Sequence, residues 1–294
     1  MKEPMNLTGK VVVVTGAARG LGAELARQLG AQGARIALLG LEPTVLAEVS
    51  AGCPGSACWE VDVTDGEALT RVAAEVEDRL GPADVVIANA GIAAGGPLLL
   101  ADAASYDRVI EVNLLGSIRT VRAFLPQVVQ TRGYVLQIAS LAALAPAPMM
   151  SAYCASKAGA ESFAHSLRAE VRHHGVDVGV AYLSWTDTDM VRGADDRGLA
   201  DRSKLPGVLS RTYPLEPTVV RIVEGITRRA PHVYAQRWVR SLQYLRAVIP
   251  SVVARTPTRE AVEAEQRIRA AGPEATTPVG AGGAADVLGR TRRS

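Results

Sequence analysis

Tyr153 and Lys157 stand four residues apart in the segment SAYCASKAGA, residues 151–160. Only four of the chain's 32 basic residues are lysines, so a lysine at this place is a specific choice. On a helix, positions i and i+4 share a face, and the two side chains project together. A free tyrosine has a pKa near 10, so only about a thousandth of it is ionised at pH 7. An ammonium about 4 Å away, at an effective dielectric constant of about 20, favours the phenolate by up to ~4 kcal/mol. That would make Tyr153 a usable proton-transfer group.

Other residues of the right type surround this pair in the sequence. Ser140 closes the run GYVLQIAS thirteen residues before Tyr153, and its hydroxyl could hold a carbonyl oxygen. Asn113 lies inside the run RVIEVNLLGSIRTV, where an amide has poor helix propensity and needs another reason to be present. Asn89, Ala90 and Gly91 follow another apolar run. Taken singly, each is explained as well by a local backbone cap. Near the N-terminus, TGAARGLG (15–22) joins an apolar run to a helical pattern. Gly16, Gly20 and Gly22 let a backbone turn tightly and approach a phosphate, and a helix beginning there aims N–H groups at an anion. Close helix–strand packing is the other explanation. The spacing is G-x-x-x-G-x-G, which differs from the G-x-G-x-x-G dinucleotide fingerprint.

The elements that must position these residues follow from the hydrophobic pattern. Continuous apolar runs at 10–16, 33–40, 57–63, 83–91, 133–140, 176–184 and 231–236 alternate with segments of helical spacing. Such alternation predicts an α/β fold with a parallel sheet covered on both faces. Ligands of open parallel sheets bind at the carboxyl ends of the strands, where Asn89 and Ser140 fall. Residues 186–217 have little periodicity and read as a long loop or short helical lid. Residues 237–271 form an extension in which 237–255 reads as a basic amphipathic helix. Residues 272–294, rich in Gly, Ala, Pro and Thr, read as disordered.

Composition narrows the class. The chain has 294 residues, 48% hydrophobic and 21% charged, with a net charge of +2. From Arg228 to Ser294 there are twelve arginines against five acids, so this part carries about +7 and the remainder about −5. No nucleic-acid module is visible, and no metal-ligand spacing is present. Cys53, Cys58 and Cys154 are too few for a disulfide framework and read as free thiols of a reducing compartment. The absence of a signal-like or spanning apolar run leads to an expected cytoplasmic location.

With TGAARGLG, Asp62–Val63, NAG (89–91), Asn113, Ser140 and YCASK (153–157) in this order, the sequence resembles the short-chain dehydrogenase/reductase family from about Thr8 to Met190, and more loosely to Gln236. The resemblance implies one Rossmann-like three-layer domain, residues 1–236, around a mostly parallel seven-stranded sheet. It implies NAD(P)-dependent hydride transfer between an alcohol and a carbonyl. Tyr153 would be the acid/base, Lys157 the ribose ligand that lowers the tyrosine pKa, Ser140 the group orienting the substrate oxygen, and Asn113 the support for a proton-relay water. The cofactor would meet Gly16, Arg19, Gly20, Leu21, Gly22, Asp62, Val63, Asn89, Ala90, Gly91 and Thr188. Asp62 would take the adenine amino group, or else cap the turn at Thr64. A homodimer or homotetramer is implied as well. The chain departs from the family at Leu183–Ser184, where Pro-Gly is usual, so the backbone beside the nicotinamide could run differently.

Three finer expectations follow. Gly40 stands where NAD-selective members carry an acid, and Arg19 could meet a 2′-phosphate; against this, Leu41 offers no second cation and Glu42 could swing inward, and on balance NADP(H) is favoured over NAD(H). Leu144, Met149, Met150 and Trp185 suggest an apolar wall and a lipophilic alcohol or carbonyl substrate such as a steroid, retinoid or fatty chain. The basic 237–255 segment suggests packing on the domain or a neighbour, or peripheral contact with an anionic membrane.

Overall fold

The computed structural model describes residues 3–197, 207–255 and 258–291. Seven strands form one parallel sheet: β1 (Val11–Thr15), β2 (Arg35–Gly40), β3 (Ala57–Glu60), β4 (Val85–Ala88), β5 (Tyr134–Ile138), β6 (Asp177–Tyr182) and β7 (His232–Tyr234). Their order across the sheet is β3-β2-β1-β4-β5-β6-β7. Every pairing is parallel, as in Val13↔Ala37 and Val13↔Val86. The order reverses between β1 and β4, and there the carboxyl ends of the strands open a crevice.

Alternation along each strand feeds two cores. Val11 and Val13 point to one face and Val12 and Val14 to the other. The first face is covered by α3 (Gly66–Leu80), α4 (Ala103–Ile110), α5 (Ser117–Thr131) and α6 (Ser151–Val171), through Val76, Phe124 and Leu167 among others. The second is covered by α1 (Gly20–Ala31), α2 (Pro43–Ala51) and α8 (Leu215–Thr227), through Leu25, Leu46 and Ile222. Side-chain caps set several helix starts: Asp65 accepts from the Ala68 N–H at the head of α3, and Asp102 accepts from the Ser105 N–H at the head of α4.

Beyond β6, α7 (Asp189–Asp196) begins at Thr188, whose hydroxyl accepts from the Val191 N–H. This places a short helix in the 186–217 stretch; residues 198–206 of that stretch lie outside the described residues. The basic segment after 237 is not one helix. It divides into α9 (Val239–Leu245) and α10 (Ile249–Val253), with Pro250 in the first turn of the second. Arg246 ties it to the domain through an ion pair with buried Glu161 of α6 at 2.9 Å. Tyr244, Leu245, Val248 and Val252 remain exposed. No helix among the described residues is long and apolar enough to cross a membrane.

The expectation of disorder over 272–294 is overturned for the described part. After α11 (Thr258–Ala271) the chain forms a turn at Pro273–Thr276 and then helix α12 (Gly280–Thr291). The composition is poor in apolar residues, but Val279 is 1% exposed and packs with Ala93 and Ala194. Its N–H donates to the Ala93 carbonyl at 2.8 Å. Tertiary contacts order a segment that has little apolar surface of its own.

Candidate active site

The crevice at the carboxyl ends of β1, β4, β5 and β6 is the principal cleft of the described residues. It is lined by the glycine turn, Asp62–Val63, Asn89–Gly91, Ser140, Tyr153, Lys157, Leu183, Ser184 and Thr188. The sequence-predicted residues therefore converge, with Asn113 standing behind them.

The first two turns of α6 carry Tyr153 and Lys157. The Lys157 ammonium lies 5.7 Å from the Tyr153 ring centre and donates to the Ile138 carbonyl at 3.1 Å. Lys157 is buried, and desolvation pushes its pKa down from 10.5 to about 8. Burial also acts on Tyr153, pushing the phenol up to about 12, against a hydrogen bond with Ser140 that lowers it. The spacing argument predicts the opposite direction for the tyrosine. Desolvation of the phenolate outweighs what the neighbouring groups of the protein return. Ser140 is held by its own turn: its hydroxyl accepts from the Ala142 N–H at 3.1 Å.

Asn113 does not line the cleft. It is fully buried in a π-helical stretch, Glu111–Gly116, between α4 and α5. π-turns interrupt α-helices most often near functional sites. The Asn113 amide oxygen accepts from the Ile92 N–H at 2.8 Å, and its nitrogen donates to the Ile92 carbonyl at 3.0 Å and to Ser156 at 3.1 Å. The Ser117 hydroxyl donates to its backbone carbonyl at 2.8 Å. These bonds clamp the turn that follows β4, so Asn113 is a positioning residue in this geometry.

The glycine turn shows both physical explanations at once. A Cβ on Gly22 would lie 2.2 Å from the Gly16 carbonyl oxygen, which is a packing requirement. Gly20, by contrast, has φ +51° and only the Thr188 side chain within 4 Å of such a Cβ. Here the left-handed backbone is the requirement, and the surrounding space is open. Arg19 at the N-cap of α1 supplies no side-chain cap to the helix. Asn89 braces the turn from β4, donating to the Thr15 carbonyl at 2.8 Å.

At the other end of the cleft, the Asp62 carboxylate accepts from the Thr64 N–H and hydroxyl at 2.9 and 2.8 Å, and from Arg108 at 2.8 Å. The cap expected as an alternative is present, and Asp62 also faces the cleft. Arg19 is bound by Glu42 through two contacts, one of 2.7 Å, and Asp189 stands 3.8 Å from it. Glu42 itself lines the cleft. Arg19 lines it as well, so a 2′-phosphate reaching Arg19 would compete with Glu42.

The Leu183–Ser184 departure leaves a fixed backbone. The Leu141 N–H donates to the Leu183 carbonyl at 2.7 Å, and the Ser184 N–H donates to the Gln236 side chain at 2.9 Å. Ser184 lines the cleft, and its hydroxyl is buried with no hydrogen-bond partner among the described residues. Sequence reasoning noted the changed residue but not this hydroxyl. It also missed Gly282, Ala285 and Asp286 of α12, which line the same cleft. Nothing local in a Gly/Ala-rich tail signals them. The expected wall of Leu144, Met149, Met150 and Trp185 does not line the cleft. Leu144 belongs to the core behind it. Tyr153 packs against the larger core on one side and, like Met190, against the small apolar group of Ala93, Ala194 and Val279.

Comparison with known proteins agrees with this geometry. The model of the short chain dehydrogenase family matches residues 10–197. A probable oxidoreductase EphD of Mycobacterium tuberculosis is 32% identical over 236 residues, which are 75% of this chain and 40% of that protein. The chain thus spans about two fifths of that relative's length. Dehydrogenase/reductase SDR family member 7B of Bos taurus is 34% identical over 74% of this chain and 69% of its own. A metagenomic short-chain oxidoreductase solved in complex with NADP has a TM-score of 0.57 at 35% identity, covering 60% of this chain and 83% of that one. The fold alone is shared with a short chain dehydrogenase/reductase of Burkholderia phymatum in complex with NAD, at a TM-score of 0.71 and 22% identity over 81% and 93% of the two chains. The glycine turn, the Ser140–Tyr153–Lys157 group and the matched span agree, and the chain belongs to the short-chain dehydrogenase family.

Proposed function

We propose that this chain is a nicotinamide-dinucleotide-dependent oxidoreductase that interconverts an apolar secondary alcohol and its ketone, or an aldehyde, with Tyr153 as acid and base. The observation that carries this reading is the meeting of Ser140, Tyr153 and Lys157 on a cleft that also contains an open glycine turn at a helix N-terminus. The residues present fit a dinucleotide. Gly20 leaves room for a pyrophosphate, the N–H groups at the head of α1 suit its charge, and Ser184 presents a buried hydroxyl in need of a partner. A bound dinucleotide supplies or accepts the hydride.

The protein's part is proton transfer and placement. In reduction the Tyr153 hydroxyl donates its proton to the carbonyl oxygen; in oxidation the phenolate takes the alcohol proton. Ser140 orients that oxygen. Lys157 holds ribose hydroxyls, and Asn113 fixes the turn beside them. Thr188, at the head of α7, is assigned to the carboxamide end. A non-catalytic dinucleotide-binding scaffold or sensor with the same fold is the alternative, and it rests on the Leu183–Ser184 departure. The hydrogen bonds that fix both residues speak for the enzyme. The first test is titration of the folded protein with NADH and with NADPH, followed by nicotinamide fluorescence. Binding of either directs a carbonyl screen with that cofactor, in which turnover supports the enzyme and its absence the scaffold; binding of neither rejects the enzyme. Ile92, Val112, Leu183 and Met190, apolar residues that line the same cleft as Tyr153, support a lipophilic substrate. A small polar sugar turned over much faster than any hydrophobic ketone would overturn that part.

Cofactor choice follows from Arg19, Glu42 and Asp189, one cation among two acids. A 2′-phosphate would have to displace Glu42 from Arg19 and remain beside its charge, whereas ribose hydroxyls could donate to it. We therefore assign a preference for NAD(H), reversing the expectation from sequence. Glu42→Gln should release Arg19 and shift the NADPH/NADH affinity ratio toward NADPH by about tenfold or more, the scale of one charge-assisted contact. Tighter binding of NADPH than NADH by the unaltered chain would sink the assignment.

Ser184 is assigned to the nicotinamide end because it lines the cleft after β6 and its hydroxyl is buried without a partner among the described residues. Ser184→Ala should raise the dissociation constant for NADH by about five- to tenfold, the worth of one hydrogen bond. Unchanged affinity would show that the hydroxyl does not meet the cofactor.

A further inference from the structure

Helix α12 has an inner face that apolar packing does not explain. Gly283 and Asp286 are buried, while Leu288 is 60% exposed. The segment is held by polar and backbone contacts. The Asp102 N–H donates to the Thr276 hydroxyl at 3.0 Å, and Arg197 donates to the Thr277 carbonyl at 2.7 Å. Where α12 meets α7 the two backbones touch: a Cβ on Gly193 would lie 2.6 Å from the Gly280 nitrogen. This fit turns Gly282, Ala285 and Asp286 toward the cleft that Asp62 and Val63 also line.

Asp286 ends a buried chain of charges. Its carboxylate accepts from Arg108 Nε at 3.0 Å and from Nη2 at 2.6 Å. The same guanidinium donates to Asp62 at 2.8 Å and to the Thr64 hydroxyl at 2.8 Å. The side chains of Arg108, Asp62 and Asp286 are 7%, 6% and 2% exposed. Withdrawing three charges from water is costly, and breaking one partner out of such a group leaves an uncompensated charge. What this arrangement fixes is the orientation of Asp62. The carboxylates around this cation make an acceptor-rich corner, which suits an amino group.

We propose that α12 is the outer wall of the adenosine half of the cofactor site, and that Asp286 is a positioning residue acting through Arg108 on Asp62. The proposal rests on the dinucleotide reading above. It makes the C-terminal segment part of the binding site.

The test uses the full chain and two ligands, followed by nicotinamide fluorescence: NADH (or NADPH, if the unaltered chain binds it more tightly) and reduced nicotinamide mononucleotide, which lacks the adenosine half. Asp286→Ala should raise the dissociation constant for the dinucleotide by about tenfold or more, and leave that for the mononucleotide within about twofold. Asp286→Asn keeps the shape, guards against misfolding of the alanine variant, and should give a smaller loss with the same selectivity. Amide exchange in residues 280–291 should slow when the dinucleotide is added. Equal losses for both ligands would reduce Asp286 to a general structural role. No loss, or tighter dinucleotide binding, would overturn the proposal, the latter by showing that α12 is a cover that must leave. Failure of the unaltered folded chain to bind either dinucleotide would reject the reading beneath it; intact binding by Asp286→Ala would reject the wall alone.

Discussion

Tyr153→Phe should lower turnover in both directions by about 10²–10⁴-fold, the usual worth of a positioned general acid or base, while NADH affinity changes little. The phenyl ring keeps the contacts of the tyrosine with its apolar neighbours and loses only the hydroxyl that bonds Ser140. A uniform loss of binding and turnover would instead mark the residue as structural. The direction of the pH dependence provides a second check. Burial pushes the Tyr153 phenol up to about 12. The hydroxyl is therefore protonated at neutral pH, which is the form needed to donate to a carbonyl oxygen. Reduction should vary little between pH 6 and 8. Oxidation needs the phenolate, whose fraction grows with pH all the way to the pKa. Its rate should climb steadily from neutral pH upward. An oxidation rate flat over that range would mean that another group takes the alcohol proton.

What could be read in the sequence, and what could not, divides along physical lines. The strands are legible because a buried parallel strand is a continuous apolar run, and VVVVT or YVLQI can hardly be anything else. Tyr153, Lys157 and Ser140 are legible because their roles depend on short spacings and on strand ends. The direction of the Tyr153 shift was not legible, since a spacing reveals a charge nearby but not the burial that opposes it. Glu42 is legible as an acid able to swing inward, but its pairing with Arg19 depends on the folded turn after β2. The substrate wall was misassigned because Leu144 and Met150 carry the same composition whether they face a cleft or the core. The tail fails for a related reason. Composition measures how much apolar surface a segment can bury by itself, and α12 is held mostly by groups of other elements, among them Arg108, Asp102 and Ala93.

Lys157→Met should abolish turnover and yet raise the melting temperature. The ammonium is buried, and desolvation holds its pKa at about 8 in the folded protein against the ordinary 10.5. Between those values the unfolded chain binds the extra proton, so stability rises with pH across that window; below it the penalty is present in full. The separation corresponds to roughly 3 kcal/mol. Methionine has a similar length and no charge, and removes this penalty. It also forfeits the bond to the Ile138 carbonyl, worth about 1.5–3 kcal/mol for a charged donor. The balance favours the variant, read as a rise of at most a few degrees for a domain of this size. The comparison to make is thermal unfolding of both proteins from pH 7 to pH 10.5. The advantage of the variant should be largest at pH 7 and shrink toward 10.5, as the native lysine no longer needs to surrender a proton on folding. A variant less stable at pH 7 would mean that the lysine is retained for the fold. A variant more stable but inactive would mean that the protein keeps a destabilising charge where only the chemistry requires it.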